Sequence, residues 1–234
     1  MTGVTNGFQR ATKSVTEFAI PGGWSERELQ IEGHRLSIVL ASDPDKFLDH
    51  LTDEASAPPE LRDPYWSRLW PVSEQFAAYL LKHELPEGSP VVEIGCGLGL
   101  TGLALLARGR KVVFSDYVPL AIQAAIENAE RNGFVAEGRL VDWLQPPSES
   151  WPFFVEKKPA YDRTLHAPML KMLQRVLPVG GQCWLSDPGR TVTRELVAKA
   201  PDYSLRVTLR NEHGKQSEFA RLGTFQVIEL QRLA

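Results

Sequence analysis

From residue 91 onward, short apolar runs alternate with segments whose apolar residues recur at helical spacing. The runs predict strands at 91–94, 111–115, 139–141 and 183–186, with a shorter run at 153–155 in the place of a fourth strand. The spaced segments predict helices at 100–107, 119–132, 169–177 and 193–200. Two alternating runs, 204–209 and 225–230, predict an antiparallel pair of strands near the end. Strands that alternate with helices predict an α/β fold with a doubly wound, mostly parallel sheet.

The beginning of the chain has a different pattern. Two short alternating runs on either side of Gly33 predict a β-hairpin within 28–42, and a polar stretch with several prolines follows over 42–64. We therefore divide the chain into two parts. Residues 1–64 are expected to form an N-terminal tail, a hairpin and a linker packed on the main domain, and residues 65–234 the ligand-binding domain.

Length, composition and charge narrow the class of protein. The chain has 234 residues, of which 43% are hydrophobic and 24% charged, as in an ordinary globular protein. A net charge of −3 does not favour a nucleic-acid partner, and no apolar run is long enough to span a bilayer. Two cysteines, Cys96 and Cys183, cannot form a disulfide framework, and no Cys/His cluster has zinc spacing. We expect a cytoplasmic protein without a metal, and the oligomeric state stays open.

The most informative segment is 91–102, which joins a predicted strand to a predicted helix through a turn containing Gly95, Gly97 and Gly99. Glycines let a ligand approach the main chain closely. A helix that begins there directs free N–H groups, and the positive end of its dipole, at whatever lies over the turn. The segment therefore predicts a cradle for a nucleotide-like ligand with a negatively charged group.

The glycine motif fits two classes of cofactor. Counted from Gly97 it has the spacing G-x-G-x-x-G, with Asp116 about twenty residues later, as in dinucleotide-binding folds. Counted from Glu93 it spells E-x-G-x-G-x-G, the first motif of class I methyltransferases that use S-adenosylmethionine. An NAD(P)-dependent oxidoreductase is therefore an alternative to a methyltransferase.

Three features favour S-adenosylmethionine. Glu93 is an acid in an apolar strand, where its charge needs a partner; the ammonium group of this cofactor would supply one, whereas a pyrophosphate would be repelled. Asp142 and Trp143 end the third strand at the edge where ligands bind in open α/β sheets. An aspartate there can accept a hydrogen bond from an adenine amino group while the tryptophan packs on the ring. The sheet also ends in an antiparallel pair, as the methyltransferase fold does.

Residues 65–189 resemble methyltransferase family 16, the seven-β-strand group that includes many protein-lysine methyltransferases. The matching residues are Trp66, Leu69-Trp70-Pro71, Glu93 to Gly99, Ser115-Asp116, Asn128, Asp142-Trp143 and Leu177 to Gly181. The resemblance implies a seven-stranded, Rossmann-like sheet, to which the hairpin predicted above is an N-terminal extension, and S-adenosylmethionine as the cofactor. It also implies that the cofactor is bound by Trp70, Glu93, Gly95, Gly97, Gly99, Asp116, Asp142 and Trp143.

The chain departs from this family after its fourth strand. The family usually has Asp-x-x-Tyr there, with the acid close to the target amine, but this chain has Lys158 and, three residues later, Tyr161. The resemblance implies that Tyr161 orients the substrate through its hydroxyl group. A lysine in place of the acid would repel a cationic substrate. Alternatively Lys158 points to solvent and another acid, Glu156 or Asp187, orients the amine; we expect Lys157 and Lys158 to form a solvated pair.

The sequence thus predicts an S-adenosylmethionine-dependent methyltransferase that modifies a lysine side chain of a protein. A small-molecule nucleophile is the alternative acceptor. A protein that binds S-adenosylmethionine without transferring its methyl group is a further alternative, which the missing acid favours.

Overall fold

The computed structural model of the chain describes residues 13–49, 64–142, 144–157 and 163–234. The strands within these residues are β1 (Trp24–Ile31), β2 (His34–Ala41), β3 (Val91–Ile94), β4 (Val112–Asp116), β5 (Glu137–Leu140), β6 (Phe153–Glu156), β7 (Gln182–Asp187), β8 (Leu205–Asn211), β9 (Gln216–Ser217) and β10 (Gln226–Arg232). The α-helices are α1 (Pro44–Asp49), α2 (Pro71–Lys82), α3 (Leu100–Ala107), α4 (Pro119–Arg131), α5 (His166–Val176) and α6 (Thr193–Lys199). Each strand and helix predicted from residue 91 onward is present, with shifts of a few residues at the ends.

The main sheet has the strand order β5-β4-β3-β6-β7-β10-β8-β9. The first five strands are parallel, and β10, β8 and β9 are antiparallel to their neighbours. The predicted α/β fold with a mostly parallel sheet and an antiparallel end is confirmed. The sheet has eight strands instead of the seven expected, because the chain turns back after β8 and the two-residue strand β9 pairs with it.

Both faces of the sheet are covered by helices, which explains the continuous apolar runs in its central strands. Side chains that alternate along β3 and β6 enter two separate clusters of buried residues. One cluster lies under α2, α3 and α4, and the other under α5 and α6. The short run 153–155 is part of the fully buried strand β6, which lies between β3 and β7 at the centre of the sheet. The apolar run is short because the strand itself has only four residues.

The predicted hairpin is present as β1 and β2, and it packs against α4 through side-chain amides. The buried Asn128 accepts a hydrogen bond from the Val39 N–H at 2.8 Å and donates to the Val39 carbonyl at 3.2 Å. The same amide group also donates to the Leu98 carbonyl at 3.0 Å. The hairpin therefore adds its main-chain groups to a polar network that reaches the glycine turn.

The described helices include none with the length and apolar character needed to cross a membrane.

Candidate functional site

The glycine turn leaves β3 at the carboxyl edge of the sheet. Gly95, Gly97 and Gly99 all have positive φ, at 59°, 49° and 78°. Gly99 caps the N-terminus of α3, and a Cβ atom there would lie 2.8 Å from the Ala125 Cβ. A Cβ atom at Gly95 would meet no other atom within 4 Å. The turn therefore packs closely against α4 at one end and is open at the other.

A cavity of about 410 Å³ opens beside this turn, at the carboxyl ends of β3, β4, β5 and β6. Five of the residues singled out from the sequence line it: Trp70, Gly95, Gly97, Asp116 and Asp142. Glu93 and Gly99 are not in its wall, because Glu93 is fully buried and Gly99 faces α4. Trp143 and Tyr161 lie outside the described residues. A cavity of this size at the strand ends is typical of ligand sites in α/β folds.

Asp116 joins the glycine turn to the end of β4. Its Oδ2 atom accepts a hydrogen bond from the Gly97 N–H at 3.0 Å, and its Oδ1 atom accepts one from the Val118 N–H at 3.0 Å. The side chain is almost fully buried yet lines the cavity. Because each carboxylate oxygen has two lone pairs, Asp116 can still accept hydrogen bonds from a ligand.

Glu93 holds the start of α3 from beneath the turn. Its Oε2 atom accepts a hydrogen bond from the Gly102 N–H at 2.8 Å, one of the free N–H groups in the first turn of the helix. Burial raises the pKa of Glu93 to about 7, against the lowering effects of Lys157 and of the Gly102 hydrogen bond. The protein itself therefore supplies partners for this acid, for which the sequence had suggested only the cofactor.

We expect Glu93→Gln to remove a pH dependence of stability. The ordinary pKa of the carboxyl group is 4.5 and its folded value is about 7. Between these values the folded state binds more protons than the unfolded state, so its free energy of unfolding falls as the pH rises. Glutamine keeps an oxygen for the Gly102 N–H but does not titrate. Urea unfolding at about pH 5 and about pH 8 should show the native chain losing stability relative to the variant at the higher pH. If the free energies of unfolding of the native chain and the variant differ by the same amount at both pH values, Glu93 does not titrate between them.

An aromatic cluster forms another part of the cavity wall. Trp70 precedes Pro71, the first residue of α2, and its indole N–H donates to the Tyr65 carbonyl at 3.1 Å. The rings of Tyr65 and Trp70 are 5.9 Å apart, and the Arg68 guanidinium lies 5.2 Å from the centre of the Trp70 ring. These contacts orient Trp70 at the cavity, where a flat apolar surface suits a planar ligand ring.

Asp142 follows β5 on the other side of the cavity. Its Oδ1 atom accepts a hydrogen bond from the Leu144 N–H at 2.8 Å, which shapes the turn after the strand. Leu144 also lines the cavity, although most of its side chain is exposed. The hydrogen bond within the turn leaves lone pairs of the Asp142 carboxylate available.

Two further charged residues line the cavity: the sequence offers Glu156 as an alternative acid for the amine, and it predicts that Lys157 is solvated. Glu156, the last residue of β6, and Lys157, the next residue, both line its wall and are buried. The prediction of a solvated Lys157 is wrong, because only 8% of this residue is exposed. Its Nζ atom donates to the Cys96 carbonyl at 2.5 Å. Lys158 lies outside the described residues. The position directly after a central strand was the signal that could have placed Lys157 in the site.

Asp187, the other acid considered from the sequence, is engaged elsewhere. Its carboxylate accepts hydrogen bonds from the Gly189 and Arg190 N–H groups and from the Gln226 side chain, at 2.8 to 3.3 Å. It is not among the residues that line the cavity. Of the two acids, Glu156 is therefore the one with access to a ligand.

Cys96 lies between the glycines of the turn and is fully buried. Burial, together with the nearby carboxylates of Asp116 and Glu93, raises the pKa of its thiol well above the ordinary value. A thiol in such surroundings stays protonated and is a poor nucleophile. This agrees with a packing role for Cys96.

A second cavity of about 600 Å³ lies beside the carboxyl end of α2 and over β7, β10 and β8. It contains none of the residues singled out from the sequence, and its Arg210 and Glu229 side chains pair with each other at 2.5 Å. Within the described residues, no group of three or more His, Cys, Asp or Glu side chains could hold a metal ion. The cavity beside the glycine turn is thus the better candidate.

Comparison with known proteins assigns the fold to a class. No family model matches the chain. It is 30% identical to the electron transfer flavoprotein beta subunit lysine methyltransferase of Danio rerio over 151 residues, which are 63% of this chain and 56% of that protein. It is 47% identical to a ribosomal protein L11 methyltransferase of Aeromonas salmonicida over 51 residues, 21% of this chain and 18% of that protein. The chain thus spans little more than half the length of the first relative.

The structure resembles the crystal structure of a TehB-like SAM-dependent methyltransferase from Corynebacterium glutamicum. The TM-score is 0.55 at 17% identity, over 82% of this chain and 98% of that chain. The fold is that of a class I methyltransferase. The two relatives and the structural neighbour are named as methyltransferases, the class of enzyme that the sequence predicts, and S-adenosylmethionine is the cofactor of class I methyltransferases. None of the three supports the oxidoreductase alternative.

Proposed function

We propose that this chain uses S-adenosylmethionine to methylate a lysine side chain of a protein, and that it belongs to methyltransferase family 16. The observation that carries the proposal is the cavity beside the glycine turn, whose wall combines open main chain at Gly95 with the carboxylates of Asp116 and Asp142. The two curated relatives support a protein acceptor, since both are named as methyltransferases of proteins, one of them at lysine.

The residues of the cavity fit S-adenosylmethionine. The space in front of Gly95 admits a ligand to the main chain, and Asp116 offers a carboxylate for the ribose hydroxyl groups. Asp142 would accept a hydrogen bond from the adenine amino group, with Trp143 and Trp70 packing on the cofactor. Glu93 and Gly99 would act from beneath, by holding the start of α3 that faces the ligand.

When bound, S-adenosylmethionine supplies a methyl group that its sulfonium makes electrophilic. The acceptor must then be a neutral amine whose lone pair is aligned with that methyl group, because the transfer is an in-line displacement. The acceptor nitrogen would take the methyl group from the sulfonium, which would leave as a neutral thioether, and the methylated amine would then lose a proton.

Glu156 is the residue that we assign to hold the acceptor amine. It lines the cavity at the end of β6, close in sequence to Lys158, which stands where the family has an acid. A carboxylate can accept hydrogen bonds from an incoming amine and thereby orient it. Tyr161 retains the orienting role that the resemblance implies, through its hydroxyl group.

We expect Glu156→Gln to slow methyl transfer at least about tenfold while leaving cofactor affinity within about twofold, because the change affects the acceptor alone. The measurement pairs the initial rate of transfer from labelled S-adenosylmethionine with calorimetric titration of S-adenosylhomocysteine. Glu149→Gln, the same change at an exposed residue, is the control. Equal losses of transfer rate and cofactor affinity would contradict the assignment of Glu156 to the acceptor amine.

The proposed function is tested in two stages. S-adenosylhomocysteine is first titrated into the protein by calorimetry, and failure to bind contradicts the cofactor. Labelled S-adenosylmethionine is then incubated with the protein and a lysate of its host. Label on protein lysine supports the proposal, and label on a small molecule supports the alternative acceptor. Binding without any labelled product would instead support a cofactor-binding protein without transferase activity.

A further inference from the structure

One peptide group of the glycine turn is held at both ends by opposite charges. The Cys96 carbonyl accepts a hydrogen bond from the Lys157 ammonium at 2.5 Å. The Gly97 N–H, at the other end of the same peptide group, donates to the Asp116 carboxylate at 3.0 Å. Lys157 follows β6 and Asp116 ends β4, so the two charges come from the strands on either side of β3.

Besides these two charges, the Gly99 N–H also donates to the Cys96 carbonyl, at 2.8 Å, in a neutral and therefore weaker hydrogen bond. Gly97 has a φ of 49° and no side chain, so the peptide before it could rotate at small steric cost. A rotated peptide would direct its carbonyl at the Asp116 carboxylate and its N–H at the Lys157 ammonium. Because hydrogen bonds to ionised groups are the stronger class, the two charges together disfavour that orientation.

Burial of the Lys157 ammonium group is unfavourable by itself, and nearby residues offset the loss of its hydration. It is buried, and a buried ammonium is stable only with partners nearby. Its partners are the Cys96 carbonyl and the field of the buried carboxylates, since its charge lowers the pKa of Glu93 against the effect of burial. The ammonium is also close to the turn sterically, because a Cβ atom at Gly97 would lie 2.9 Å from its Nζ atom.

We propose that Lys157 is a positioning residue for the cofactor: with Asp116 it holds the Cys96–Gly97 peptide in one orientation and so keeps the turn shaped for the ligand. The part that concerns the cofactor rests on the function proposed above. A turn that is already ordered loses less conformational entropy when a ligand binds, so its affinity is higher. Lys157 also links the turn directly to Glu156, its neighbour on the acceptor side.

The deciding experiment is amide hydrogen exchange of the ligand-free protein, followed by NMR. In Lys157→Met the Gly97 amide is expected to exchange at least about tenfold faster, since its peptide is released. The amides of Cys96 and Val91, which donate to the Ser115 and Lys111 carbonyls, are expected to keep their rates. Lys171→Met, the same change at an exposed lysine of α5, is the control.

Two results would overturn the proposal. An unchanged Gly97 rate in Lys157→Met would show that the ammonium does not hold this peptide. Faster exchange of all three amides, together with a lower midpoint of urea unfolding, would show a merely structural lysine. If Lys157→Met does not fold, Lys157→Gln, which lacks the charge but keeps a donor, is judged by the same criteria.

Calorimetry with S-adenosylhomocysteine separates this proposal from the proposed function. Lys157→Met is expected to bind it about tenfold more weakly, while Lys171→Met binds it as the native chain does. Unchanged affinity would overturn the part of the proposal that concerns the cofactor. If the native chain itself does not bind, the cofactor assignment fails, and the exchange rates still decide whether Lys157 holds the peptide.

Discussion

Asp116→Ala is expected to weaken the binding of S-adenosylhomocysteine by about a hundredfold. The change removes a carboxylate from the cavity wall and the acceptor of the Gly97 and Val118 N–H groups. A hydrogen bond to a charged group contributes about 1.5–3 kcal/mol, and about 1.4 kcal/mol corresponds to a tenfold change in affinity. Loss of a ligand hydrogen bond together with loss of the ordered turn therefore accounts for the expected factor. Calorimetric titration of the folded variant is the measurement.

The control for this prediction is Asp202→Ala, which removes an exposed aspartate far along the chain and should leave the affinity unchanged. Unfolding in urea is measured in parallel, so that a loss of binding can be separated from a loss of folded protein. An affinity of Asp116→Ala within about threefold of the native value would contradict the assignment of this carboxylate to the cofactor.

Gly102→Ala is expected to destabilise the protein by about 2–3 kcal/mol, the upper part of the range of about 1–3 kcal/mol found for overpacked cores. A Cβ atom at this position would lie 2.3 Å from the Phe114 Cε1 atom and 2.7 Å from the Glu93 Oε2 atom. The methyl group would displace a buried aromatic ring and a buried carboxylate at once. The sign of the change in stability is informative, because replacing glycine by alanine within a helix ordinarily stabilises by about 1 kcal/mol.

Urea unfolding, with helix content followed by circular dichroism, measures the effect of Gly102→Ala. Lys171→Ala, at an exposed helical position, is the control and should change stability by less than about 0.5 kcal/mol. A neutral or stabilising Gly102→Ala would mean that α3 can move away from β4, contrary to the close packing of the structure.

The order of strands and helices was predictable because each element has its own local period of apolar residues. The alternation of apolar runs with helical spacing depends only on neighbours in the sequence, and it was sufficient for the doubly wound sheet. The shortness of β6 and the added strand β9 were less accessible, since strands of four and two residues carry little periodic signal.

The glycine turn and Asp116 were equally predictable as parts of a ligand site, because motif spacing and strand ends are sequence properties. The glycines divide by role only in the structure: Gly95 faces open space, whereas Gly99 and Gly102 allow close packing of α3 against α4 and β4. No spacing rule separates these two uses of glycine.

What the sequence by itself determined is the class of fold, the place of the glycine turn, and Asp116 and Asp142 after the next two strands. What only the tertiary structure decided is which charges meet there. Lys157 bonds to Cys96, 61 residues away in sequence, because β6 lies beside β3 in the sheet. When only the neighbours in sequence are known, a lysine side chain is expected to be exposed to solvent. The order of the strands places Lys157 among buried carboxylates. Electrostatic interactions depend on distance in space, which the spacing along the sequence does not give.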